Sequence, residues 1–392
     1  MTTHRSPAAA GKSPNIPLLD VNRGNAPLRD EIVAAITRVV DSGRFLFGPD
    51  VQQLEASVAK VCGTQHAIGC ASGSDALLLA MMALDIGPGD EVICPSFTFF
   101  ATASAVWRVG AKPVFVDIDP QTLNIDADCI ERAITPATKA IIPVHLFGQC
   151  ADMDKILELG RLHNLHVIED VAQAIGATHR GRPAGSMGTV GCLSFYPTKN
   201  LGGFGDGGML TTNDAQLAER LRLFAAHGMS PRYYHKVVGI NSRLDTIQAA
   251  VLNVKLTQLD AWTNGRCENA ERYNKLLRND ELPGVLNLPH DLGYGQHVWN
   301  QYTIRVLGGR RDQVKAKLAE HGVGSEIYYP VPLHQQECFR SLGYEPGSLP
   351  ETERAAQEVL SLPIFPELTA GEQEVVVARL RDALFTQRRA AA

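Results

Sequence analysis

The sequence predicts an α/β fold, with a mostly parallel sheet flanked by helices and a smaller α+β C-terminal domain. Three observations carry this. Short apolar runs alternate with helical periodicity between residues 66 and 212, the rhythm that places helices on both faces of a parallel sheet. After Asp280 the texture changes to turn-rich segments with short strands of Val, Ile and Tyr. The length of 392 residues exceeds one average domain, and 45% hydrophobic with 20% charged residues is an ordinary globular composition able to bury a sizeable core.

Taken in order, residues 1–14 are rich in Ala, Ser and Thr without an apolar core. They read as a disordered tail, neither signal peptide nor anchor. Ile32, Val33, Ile36, Val39 and Val40 recur at helical spacing, with Pro27 suited to a first turn and Gly43 to a C-terminal stop. A second helix follows Pro49, with Val51, Leu54, Val58 and Val61 on one face. Strands are expected at 66–70, 91–94, 112–118, 139–146, 166–171, 190–195 and 208–212. Helices are expected at 76–84, up to Trp107, at 126–134 and at 153–163. Leu217, Leu221 and Phe224 mark a further helix, and residues 244–277 read as one long helix or two in series. Beyond it lie strands at 301–306 and 323–328 and helices at 311–321 and 367–385. The predicted division is a large domain over 15–262 and a small one over 263–392.

Composition narrows the function. A formal net charge of −5 with no basic stripe argues against nucleic-acid partners. No apolar run reaches the roughly 20 residues that span a bilayer. The eight cysteines include no Cys-x-x-Cys pair, so they read as buried thiols in a reducing, cytoplasmic compartment, with no metal centre expected.

The chemistry centres on Lys199. It follows an apolar strand in a turn punctuated by Pro197, Gly202, Gly203, Gly205, Gly207 and Gly208, glycines that let backbone come close to something bulky. A lysine in a confined, partly apolar site loses proton affinity and becomes an imine-forming nucleophile. Upstream, the strand at 166–171 carries Asp170 at its end, with Gln173 three residues on. A strand-end carboxylate and such a lysine point to a pyridoxal phosphate site, the acid facing the pyridinium nitrogen. Gly73 and Ser74 open a helix, and a helix N-terminus is an anion site for the phosphate.

The stretches E-D-V-A-Q-A at 169–174, S-F-Y-P-T-K-N at 194–200 and G-I-N-S-R-L-D-T-I-Q at 239–248 resemble the DegT/DnrJ/StrS family. Its members are fold-type-I, pyridoxal-phosphate-dependent aminotransferases acting on nucleotide-linked keto sugars. The resemblance runs from about Pro17 to about Leu368. It implies Lys199 as Schiff-base and proton-transfer residue and Asp170 at the ring nitrogen. Gln173 falls to the phenolic oxygen, and Gly73, Ser74 and Ser194 to the phosphate. Phe99 stacks on the ring, with Phe97 and Phe100 as rivals. It further implies Asn241 reaching the cofactor phosphate of a second subunit, hence a homodimer with shared sites, and Arg243, Tyr329 and His334 as substrate contacts. The family's dehydratase branch carries histidine where Lys199 stands, so transamination is implied, from L-glutamate to a dTDP- or UDP-linked keto hexose in amino-sugar and polysaccharide biosynthesis. A cyclitol or other ketone acceptor, or a regulatory paralogue without turnover, are the alternatives.

Overall fold

The computed structural model describes residues 15–278, 282 and 284–390. The tail expected over 1–14 lies outside them.

Seven strands form the main sheet: β1 (His66–Cys70), β2 (Glu91–Pro95), β3 (Lys112–Val116), β4 (Thr138–Ile141), β5 (His166–Asp170), β6 (Val190–Ser194) and β7 (Gly208–Thr212), in the spatial order β1-β7-β6-β5-β4-β2-β3. β7 runs antiparallel to both neighbours and every other pairing is parallel. β1 to β6 therefore all point the same way, and their carboxyl ends line one edge, where sheets of this kind bind ligands.

Strand alternation explains why these runs are apolar throughout. Val92, Ile142, Ile168, Cys192 and Leu210 pack on one face, around the helix Gly73–Ala83. Their neighbours Ile93, Ile141 and Val167 go to the other face with Ile156 and Leu159 of the helix Met153–His163. Leu193 and Met209 meet Leu54, Val58 and Leu252. Fully burying each such side chain is worth about 1.5–3 kcal/mol. Helix Gly73–Ala83 is buried from Ala76 to Met81 because sheet and flanking helices enclose it.

The ends of the helices follow their local chemistry. Gly43 takes φ +64° to close Arg29–Ser42, and Pro49 opens Pro49–Val61 where its missing N–H costs nothing. Residues 244–277 resolve into two helices in series, Thr246–Leu256 and Leu259–Leu277.

A second sheet is antiparallel: β8 (Leu286–Asn287), β9 (Tyr302–Val306) and β10 (Val359–Leu362). Its core joins Ile304, Leu318, Leu360, Leu362, Val376 and Leu380 with Ile16 from the start of the described chain. The strand expected at 323–328 is reduced to single bridges, Val323 to Ile16 and Glu326 to Ser361. Gly322 and Gly324 spend their backbone groups on Ile16 instead, so no continuous ladder forms. Beyond it, Leu333 and Phe339 pack into the main-sheet core, which lays residues 327–339 over the carboxyl edge.

Candidate active site

Four of the six parallel strands deliver a residue to that edge. Gly73 follows β1, Phe99 follows β2, Asp170 ends β5, and Ser194 ends β6 with Lys199 in the next turn.

The turn is held by its own backbone: Lys199 N–H donates to Tyr196 O at 2.9 Å and Gly203 N–H to Phe195 O at 2.8 Å. The glycines do allow close approach, but to the chain itself. A Cβ on Gly202 would lie 2.3 Å from Pro197 O, and one on Gly208 2.3 Å from Ser72 O. Asn200 ties the turn to the loop before β9, donating to Val298 O at 2.9 Å and accepting from Asn300 Nδ2 at 2.7 Å. Lys199 itself is half-buried. Burial pushes its ammonium down to about 8, against the opposing pull of Asp170. Among the described residues nothing accepts a hydrogen bond from its amine.

Asp170 is buried. Its Oδ2 accepts from the Thr102 hydroxyl at 2.9 Å and Oδ1 from Ala172 N–H at 3.2 Å. Burial raises its pKa, and Ala172, Thr102 and Lys199 in turn hold it back. Thr102, on the helix Ala101–Arg108, has no part in the sequence reading, although it stands one helical turn after Phe99.

Gly73 and Ser194 come together so closely that a Cβ on Gly73 would sit 2.6 Å from Ser194 Cβ. Ser72 caps this helix by accepting from Asp75 N–H at 3.1 Å, leaving the N–H groups of Gly73 and Ser74 directed out of the first turn. Ser194 Oγ accepts from Tyr196 N–H at 3.3 Å, which keeps its own proton for another acceptor.

Burial sets Phe97 apart from its two rivals, which are both exposed, and ring contacts separate those two. Phe97 is 1% exposed, Phe100 lies 5.6 Å from Phe339, and Phe99 is 57% exposed with its ring 6.2 Å from Tyr329. Gln173 is already engaged: Oε1 accepts from Phe147 N–H at 2.6 Å and Nε2 donates to Tyr329 Oη at 3.1 Å. The structure thus groups Lys199, Asp170, Gln173, Phe99 and Tyr329, with Gly73, Ser74 and Ser194 beside them.

Three expected residues stand differently. His334 is buried with both ring nitrogens taken, Nδ1 by Ser96 Oγ at 2.7 Å and Nε2 by Glu353 at 3.3 Å. Asn241 is exposed with its backbone bridged to Ala226, and Arg243 lies over the Phe47 ring at 5.8 Å. Neither hydrogen-bonds to Lys199 or Asp170. Among the described residues no helix is long and apolar enough to cross a membrane.

Comparison with known proteins gives a consistent picture. The model of the DegT/DnrJ/EryC1/StrS aminotransferase family matches residues 27–381. A protein named pleiotropic regulatory protein from Geobacillus stearothermophilus is 50% identical, over 94% of this chain and 98% of its own. UDP-N-acetyl-3-dehydro-α-D-glucosamine 3-aminotransferase of Acidithiobacillus ferrooxidans is 48% identical, over 93% and 96%. The crystal structure of S. venezuelae DesV in complex with a ketimine intermediate superposes with a TM-score of 0.91 at 45% identity, over 94% of this chain and 98% of that one.

Proposed function

Because the chain belongs to the DegT/DnrJ/EryC1/StrS aminotransferase family, we propose that it moves an amino group from L-glutamate to the keto group of a dTDP- or UDP-linked hexose in amino-sugar biosynthesis. It is an aminotransferase with pyridoxal phosphate as cofactor. The half-buried Lys199 amine, with no acceptor of its own and proton affinity lowered to about 8, is the observation that carries the mechanism.

The residues present fit that cofactor. A buried carboxylate, a free amine of lowered basicity and a glycine-only contact at a helix N-terminus are the donor set that a pyridinium, an aldehyde and a phosphate require. The bound group supplies the carbonyl that takes up the amine and a ring that stores the electron pair left when the donor loses its α-proton. Lys199 holds the cofactor and then carries that proton; with a pKa of about 8, roughly a tenth of it is the free base at pH 7. Asp170 keeps the ring nitrogen protonated. Gly73, Ser74 and Ser194 receive the phosphate, Phe99 covers the ring, and Gln173 orients the phenolic oxygen jointly with Tyr329. Tyr329 and Arg243 are assigned to substrate, while His334, tied to Ser96 and Glu353, acts on the substrate side by fixing the segment that carries Tyr329.

The working unit is a homodimer with Asn241 crossing to the partner's phosphate. Phe47, 66% exposed, lies against Arg243, and Tyr233 at 74%, Tyr234 at 70% and Val238 at 90% stand on the segment leading to Asn241; large apolar side chains in such numbers mark association surfaces. We place the division between the large and small domains near Trp262, within the helix Leu259–Leu277, and the protein in the cytoplasm. The name of the Geobacillus relative favours a second reading, a regulatory role without turnover. One experiment separates the two. Glutamate-dependent amination of a panel of dTDP- and UDP-linked 3-keto and 4-keto hexoses is expected to release 2-oxoglutarate with one acceptor. A cofactor-loaded protein whose absorbance is unchanged by L-glutamate would sink the transaminase reading.

A further inference from the structure

Glu169 and His145 lie beneath the site and take no part in the chemistry above. Both are fully buried. Alternation along β5 sends Glu169 to the face opposite Asp170, where its carboxylate collects four donors. Oε1 accepts from Met187 N–H at 2.7 Å and Gly188 N–H at 2.6 Å; Oε2 accepts from Gly185 N–H at 2.8 Å and meets His145 Nε2 at 2.9 Å. Because His145 Nδ1 accepts from Ala151 N–H at 3.2 Å, the ring proton sits on Nε2 and points at Glu169. Each segment gathered by this carboxylate leads to a residue of the site. Residues 185–188 run into β6, which ends at Ser194 and feeds the Lys199 turn. His145 runs into Phe147, whose N–H holds Gln173. The backbone of His145 also donates to Asp170 O at 3.0 Å, and Asp170 N–H donates to Pro143 O at 2.9 Å.

We propose that Glu169, with His145, is a positioning element of the cofactor site, one buried carboxylate setting the relative placement of Asp170, Gln173 and the strand that delivers Ser194 and Lys199. The proposal rests on the reading of Asp170 as the ring-nitrogen partner. Four strong donors on one carboxylate leave it a single orientation, and such groups around a binding site are rigid by satisfaction rather than by packing. In Glu169→Gln an amide NH2 must face the Gly185 or the Gly188 N–H, donor against donor. The strand end then shifts although no group that touches cofactor has changed.

The test is the affinity of the apoprotein for pyridoxal phosphate by fluorescence titration, beside kcat and KM of the holoenzyme, for Glu169→Gln, His145→Gln and, as control, Asp170→Asn. Glu169→Gln is expected to weaken cofactor binding at least tenfold and lower kcat about 10- to 100-fold with KM for the sugar within twofold. His145→Gln removes one donor, leaves the three backbone donors in place and serves if the first variant fails to fold; a loss of about tenfold in cofactor affinity with unchanged thermal midpoint supports the proposal. Cofactor affinity and kcat within twofold of wild type in a folded variant at both positions overturn it. An Asp170→Asn protein with unaltered activity overturns the underlying reading instead, so the two failures are distinguishable.

Discussion

The Thr102 hydroxyl donates to Asp170 Oδ2 at 2.9 Å, the one side-chain hydrogen bond among the described residues on this buried carboxylate. It spends one Asp170 lone pair and leaves the outer face of the group for a ring nitrogen. Replacing the hydroxyl by a methyl, Thr102→Val, leaves the Asp170 charge under-solvated, a loss of about 1.5–3 kcal/mol for a hydrogen bond to a charged group. The expected outcome is a 10- to 100-fold fall in kcat, read in steady-state assays, with a thermal midpoint lower by a few degrees. Wild-type kcat in this variant would show that Asp170 does not depend on the contact.

Gly73→Ala tests the phosphate end. The new Cβ would come within 2.6 Å of Ser194 Cβ, so the helix start and the end of β6 must part. Cofactor affinity measured on the apoprotein should drop by more than about tenfold. Ser194→Ala, which removes a hydroxyl without steric conflict, should cost less.

Lys199 and Lys255 both have ammonium groups pushed down to about 8 by burial. Between pH 8 and the ordinary lysine range near 10.4, the unfolded chain binds more protons than the folded one. Apoprotein stability should therefore rise with pH across that window. Lys255 is buried between the rings of Phe204 and Trp262, at 5.6 and 5.8 Å, and forms no ion pair among the described residues. Lys255→Met should gain on the order of 1 kcal/mol at pH 7 and flatten the rise, as followed by denaturant titration at several pH values.

A shared site predicts complementation. Lys199→Ala and Asn241→Ala homodimers should each be weak. After co-refolding, half of the dimers are mixed and each holds one intact site, which returns about a quarter of wild-type activity. No recovery beyond the sum of the parents would place Asn241 in its own subunit's site or outside any site.

Much of this was legible in the sequence because it is local. Apolar runs of four or five residues set β1 to β7, and Gly43 and Pro49 act where they stand. Lys199 and Asp170 were visible because each sits at or just after a strand end, where an α/β sheet gathers its chemistry. What escaped is tertiary. Thr102 bonds across 68 residues to Asp170, and His145 across 24 to Glu169, and neither spacing has a period. Val359–Leu362 completes the second sheet yet follows directly on the helix Pro350–Glu358, so no turn residue announces it. At 323–328 the β-branched pattern was present, but its backbone was committed to Ile16, over 300 residues away. Among Phe97, Phe99 and Phe100 only burial and ring contacts could choose.

The most direct measurement is to load the protein with pyridoxal phosphate, reduce it with borohydride and locate the modified peptide by mass spectrometry. The account predicts one cofactor mass per chain, on the peptide containing Lys199, and none in Lys199→Ala. A label on Lys255 or elsewhere, or no label at all, would contradict it.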